Sequence, residues 1–107
     1  MISKSYTNVY VKIQIKATRA LIKFCVDHKY NTTWLNDLNA CLTSLEQNEM
    51  KTAYDIYAKI PLGGNGCFND WFPNVVFEHE NREYVSSVFE ALTDRWSNLM
   101  KMTLNKT

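Results

Sequence analysis

The stretch Val9-Tyr10-Val11-Lys12-Ile13-Gln14-Ile15 admits two readings, and the choice between them decides the fold class. Val9, Val11, Ile13 and Ile15 alternate with period two, and β-branched side chains at that spacing suit a strand. The same residues also belong to a longer series. Tyr6, Val9, Ile13, Ala17, Ala20, Leu21 and Phe24 recur at intervals of three, four or one, with a second row at Val11, Ile15, Ile22 and Val26. Such spacings put side chains on the faces of an α-helix, and no turn residue interrupts the series. The longer register therefore predicts a helix from Ser5 to Asp27.

Downstream, His28-Lys29-Tyr30-Asn31 breaks the pattern, and Thr32 or Thr33 is expected to cap the next helix by accepting a hydrogen bond from its free backbone donors. That helix should run from Trp34 to Glu46, with Trp34, Leu35, Leu38, Cys41, Leu42 and Leu45 inward. Asn48 is expected to cap a third helix, Glu49 to Lys59, striped by Met50, Ala53, Tyr54, Tyr57 and Ile60. A connection this short makes the two helices antiparallel neighbours. Pro61 and the glycines at 63, 64 and 66 end the third helix, and Asn74-Val75-Val76-Phe77 reads as extended. A fourth helix should start at the cap Asn81, carry Val85, Val88, Phe89, Leu92, Trp96, Leu99 and Met100 inward, and fray from Thr103. The expected fold is all-α, a compact bundle of about four helices with a Gly-rich loop and a short extended segment before the last helix.

A chain of 107 residues with 46% hydrophobic content suits a single helical domain spanning 1–107. No apolar run approaches the roughly 20 residues that cross a bilayer, and the first residues lack a leader-like apolar core, so a cytoplasmic protein without a membrane partner is expected. Cys25, Cys41 and Cys67 lack C-x-x-C spacing and are read as free thiols. Charge is uneven along the chain. Residues 1–30 carry six bases against Asp27, whereas residues 31–107 carry ten acids against six bases. A pI of about 7.7 with the basic excess on one helix argues against nucleic acid as the partner.

The segment Gly63-Gly64-Asn65-Gly66-Cys67-Phe68-Asn69-Asp70-Trp71-Phe72-Pro73 holds every glycine of the chain. It lacks the Lys-Ser/Thr of a phosphate loop and follows no strand, which removes a nucleotide reading. Cys67 with His28 or His79 is the one conceivable nucleophile and base pair, and His28, His79, Asp70 and Glu80 lack metal-ligand spacing. Neither enzyme chemistry, nor a cofactor, nor a metal site is expected. Asn69 and Asp70 can close the loop on its own backbone. Alternatively, Asp70, Trp71 and Phe72 can be presented to a protein partner as an aromatic anchor with a charged neighbour.

The passage from Trp34 to Asp70 resembles small bacterial proteins in which a leucine-rich helical hairpin precedes a Gly-Gly-x-Gly-x-Phe/Leu-Asn-Asp loop, here Gly63 to Asp70. These are similar in type to immunity proteins of polymorphic toxin systems. The resemblance implies a non-catalytic protein that neutralises a cognate toxin domain by binding it. Acids would suit a basic toxin partner, and Asp55, Asp70, Trp71, Phe72, Glu78, Glu80 and Glu83 are the candidate contact residues. The alternative is a structural or regulatory module that forms a homodimer through the two apolar rows of the first helix.

Overall fold

A computed structural model describes residues 2–63 and 67–105, with side chains described for 11–63 and 67–102. Among the described residues four helices follow in order: α1 Ile2–Asp27, α2 Trp34–Glu46, α3 Met50–Lys59 and α4 Arg82–Asn105. Residues 9–15 are helical, so the period of three and four prevails over the period of two. α4 continues through Thr103 to Asn105, where fraying was expected. Gly64, Asn65, Gly66 and the side chains of Tyr6, Val9 and Tyr10 lie outside the described residues.

Each helix packs on two others, α1 on α2 and α4, and α3 likewise on α2 and α4. The core is drawn from the predicted stripes: Leu21 and Cys25 of α1, Leu38, Cys41 and Leu45 of α2, Ala53 and Tyr57 of α3, and Val85, Phe89, Trp96 and Met100 of α4 are buried. The second row of α1 turns inward too, since Val11 is buried and Ile15 and Ile22 pack against the core. Some polar groups inside tie helices together. Gln14 Nε2 donates to Leu99 O at 2.8 Å, and the Tyr57 and Ser97 hydroxyls lie 2.7 Å apart.

The turns differ from expectation in one informative respect. Asn48 does not cap α3; it has φ +62° and ends α2. Its N–H bonds Leu45 O at 3.1 Å and the Glu49 N–H bonds Ser44 O at 2.8 Å. This is the left-handed helix terminator that asparagine tolerates better than most residues. Lys29, with φ +61°, ends α1 in the same way, through Lys29 N to Val26 O and Tyr30 N to Cys25 O. At the start of α2, Thr32 rather than Thr33 accepts a backbone bond, from Trp34 N at 3.3 Å. Asn81 caps α4 as expected, Oδ1 accepting from Tyr84 N at 2.8 Å. Because lysine lacks even asparagine's tolerance of this conformation, Lys29→Gly should stabilise the fold by about 0.5–1 kcal/mol, measured by urea denaturation. A loss of stability would show that Lys29 contributes more through its side chain than its backbone costs.

Candidate functional site

Between α3 and α4 the described residues, 61–63 and 67–81, cross the bundle without regular structure, and this crossing forms the most distinctive surface of the molecule. It starts with a plug. Phe68 is fully buried, with ring contacts to Tyr30, Trp34, Phe89 and Trp96 at centroid distances of 5.6, 6.4, 5.7 and 6.4 Å. Its backbone is held as well: Phe68 N donates to Pro61 O at 2.9 Å, and Tyr30 Oη donates to Phe68 O at 2.6 Å. Burial raises the Tyr30 pKa, which keeps the phenol a donor. Asn69 closes the loop, its Oδ1 accepting from Gly63 N at 2.7 Å and from Cys67 Sγ at 2.8 Å. Gly63 has φ +89° with open space where a Cβ would stand, so backbone conformation rather than crowding calls for glycine there.

Trp71 and Phe72, adjacent in sequence, part ways in space. Trp71 is half-buried, stacked on Tyr30 at 3.9 Å and edge-on to Phe89 at 5.0 Å. Phe72 is 82% exposed. Beyond Pro73 the extended segment keeps Val75, Val76 and Phe77 exposed, and Tyr84 of α4 joins them. Among the described residues, five of the six large exposed hydrophobics lie between Phe72 and Tyr84, with Val26 the sixth. Folded chains rarely concentrate apolar exposure in this way unless something covers it.

The end of this segment is fixed from inside by Glu80. Its side chain is only 4% exposed; Oε1 accepts from Val76 N and Phe77 N, each at 3.0 Å, and Oε2 meets His28 Nε2 at 2.7 Å. Burial opposes the charge, but the Phe77 and Val76 N–H donors, followed by the hydrogen bond and charge of His28, bring the carboxyl down to about 2. His28 Nδ1 faces Phe24 O at 2.9 Å, and the imidazole stacks on Phe24 with centroids 3.9 Å apart.

The candidate contact residues therefore divide. Asp70, Phe72, Glu78 and Glu83 are exposed along or beside the apolar segment, and Trp71 underpins it. Glu80 faces inward and holds the segment's shape, so its carboxylate is not offered to a partner. Asp55 lies on α3, paired with Lys51 at 3.1 Å and apart from the segment's cavities. Val75, Val76 and Phe77 were missed, because they read only as a short extended segment, whereas Tyr84 is legible as a tyrosine outside the inward stripe of α4 and so as a candidate interface residue.

Two cavities flank Phe72. One, of about 310 Å³, lies between Asn69, Trp71 and Phe72 on one side and Ser86, Phe89, Glu90, Thr93 and Asp94 of α4 on the other. The second, of about 560 Å³, shares Phe72 and Ser86 and extends to Asn74, Val75 and Arg82.

The candidate nucleophile and base are engaged with other groups. His28 spends both ring nitrogens on Phe24 O and Glu80, while Cys67 Sγ donates to Asn69. Burial pushes the Cys25 and Cys41 thiols up to about 12, where they behave as small hydrophobes. Among the described residues no group of three His, Cys, Asp or Glu side chains is placed to hold a metal ion, and no helix is long and apolar enough to cross a membrane. Comparison of the chain with protein-family models, curated proteins and solved structures finds no match.

Proposed function

We propose that this chain is a protein-binding module that docks a partner on the Phe72–Tyr84 face, and that its concrete role is immunity, the neutralisation of a bacterial toxin domain by direct binding. The carrying observation is the concentration of Phe72, Val75, Val76, Phe77 and Tyr84 on one exposed stretch. Aromatic residues with an acidic surround suit an interface centre with a polar rim, and Asp70, Glu78 and Glu83 supply carboxylates that favour a basic partner. The segment is also shaped in advance. Phe68 anchors one end and Glu80 the other, so little ordering entropy opposes association. The resemblance of Gly63–Asp70 to the loop of small immunity-type proteins narrows the partner to a toxin domain. The homodimer reading has less to draw on, because the second apolar row of α1 is largely consumed within the bundle and Val26 is its one exposed member among residues 11–27.

The test begins with the neighbouring genes, where a toxin domain is expected, and proceeds by co-expressing that domain with this chain and by a pull-down between the two. Wild type should restore growth, whereas Phe72→Ala with Phe77→Ser should weaken binding by about tenfold or more, as loss of central aromatic anchors does. The melting temperature should fall only modestly, because Phe72 is exposed and Phe77 is 44% exposed, with its other side against His28. Unchanged binding by the folded double variant would remove this face from the interface, and growth arrest despite soluble wild-type protein would remove the immunity role.

A further inference from the structure

The cavity of about 310 Å³ between the 69–72 turn and α4 has a composition that selects its occupant. Trp71, Phe72 and Phe89 give it aromatic walls, and Glu90 and Asp94, one helical turn apart on α4, give it carboxylates. Among the described residues neither carboxylate has an ion-pair or hydrogen-bond partner. The Trp71 ring cannot drift, since it is stacked on Tyr30 and braced edge-on by Phe89. Phe89 is 3% exposed and Thr93, also 3% exposed, spends its hydroxyl proton on Phe89 O at 2.8 Å. The walls are thus rigid and the charge is concentrated on α4.

Aromatic faces beside carboxylates favour a cation, and a planar one best: a guanidinium stacks on a ring while its N–H fork engages carboxylate oxygens. We infer that this cavity receives an arginine side chain projecting from the protein partner. The inference rests on the binding reading above and supplies its chemistry. Phe72 is the shared wall between this pocket and the apolar segment, so an arginine flanked by apolar residues would engage both at once. Arg82 lies two turns before Glu90 on α4 and lines the neighbouring cavity, so the cation is directed to the Glu90–Asp94 end.

The probe is the capped tripeptide acetyl-Gly-Arg-Gly-amide, titrated into the full chain by NMR beside its lysine and citrulline counterparts. The arginine peptide should shift the Trp71, Glu90 and Asp94 amide signals with saturation at millimolar concentration, as a single side chain in a shallow site allows. The lysine peptide should bind several-fold more weakly, and citrulline, isosteric but uncharged, should give no saturating shift. Glu90→Gln with Asp94→Asn should fold normally and bind the arginine peptide about tenfold more weakly, the loss expected for charge-assisted hydrogen bonds. Equal response to citrulline or lysine, or full affinity in the double variant, overturns the assignment. The two readings fail separately. If Phe72→Ala with Phe77→Ser abolishes partner binding while Glu90→Gln with Asp94→Asn leaves both partner and peptide affinity intact, the docking face stands and the arginine pocket falls. If the peptide binds as described and the toxin does not, the pocket stands and the immunity role falls.

Discussion

Phe68→Ala is expected to lower the unfolding free energy by about 3–5 kcal/mol, the cost of truncating a fully enclosed phenylalanine to a methyl group. Domains of this size are stable by about 5–15 kcal/mol, so a large part of the total would be lost. The magnitude follows from what surrounds the ring. Phe68 touches Tyr30 beyond α1, Trp34 at the start of α2, and Phe89 and Trp96 of α4, so the void would open where two helices, the α1–α2 connection and the crossing segment meet. Those neighbours are themselves large and mutually braced, which limits collapse into the space. Phe68→Leu should cost well under half as much, because a leucine fills most of the volume. Chemical denaturation of the two variants, with Phe72→Ala as the exposed control expected to change stability by about 0.5 kcal/mol or less, measures the difference. Equal and small effects at 68 and 72 would mean that the loop is not anchored through Phe68.

The same variant bears on the candidate interface. Trp71 rests on Tyr30 and Phe89, and both of these rest on Phe68. The glycine-rich loop therefore serves the surface indirectly: it delivers Phe68 inward so that Phe72, four residues later, stands outward on a fixed base. Position within the loop, rather than any chemistry of the glycines, makes the surface.

Helix positions and core stripes were legible in the sequence because each rests on a local rule. Leu38, Cys41 and Leu45, or Val85, Phe89, Trp96 and Met100, repeat at helical spacing and are buried accordingly. The roles of Asn48 and Lys29 were less legible. Asparagine is favoured both before a helix and in the left-handed turn after one, and the short connection between α2 and α3 offers both places. Lysine carries no signal for positive φ at all. The crossing from Pro61 to Asn81 was least legible, since no periodicity says which of Phe68, Trp71, Phe72 and Phe77 turns inward. That partition is set by tertiary partners far away in sequence: Tyr30 for Phe68 and Trp71, and His28 for Glu80. Glu80 looked like a surface acid because an isolated carboxylate usually is one. Its burial depends on a histidine 52 residues earlier.

Glu80→Ala is expected to lower the melting temperature at pH 7 on the order of 10 °C, because breaking a buried, fully bonded polar group strands its partners. Glu80 satisfies Val76 N, Phe77 N and His28 Nε2 together. With its carboxyl held down to about 2 the side chain is ionised and can only accept, so His28 Nε2 must donate. Nδ1 faces Phe24 O at 2.9 Å, and Phe24 and Phe77 flank the imidazole that holds the carboxylate. Glu80→Gln keeps the shape but turns an amide N–H₂ or a neutral oxygen toward His28, so it should cost less than alanine and more than any exposed ion pair such as Lys51–Asp55. The pH dependence carries the sign of a depressed carboxyl. In the unfolded chain Glu80 titrates near the ordinary 4.5 and in the folded chain near 2, so its stabilisation is complete above about 4.5 and is lost as pH falls through that window toward 2. Wild type and Glu80→Gln should accordingly differ most above pH 5 and converge near pH 2, while the other acids affect both alike. A gap that stays constant from pH 7 to pH 2 would show that the carboxylate's charge is not what holds the segment. Hydrogen exchange locates the effect: the Val76 and Phe77 amides, protected in wild type by Glu80, should exchange freely in Glu80→Ala while the core amides of α2 change only with global stability. Because those two amides lie within the Phe72–Tyr84 face, loosening them should also weaken partner binding, linking a buried pair to the surface it shapes.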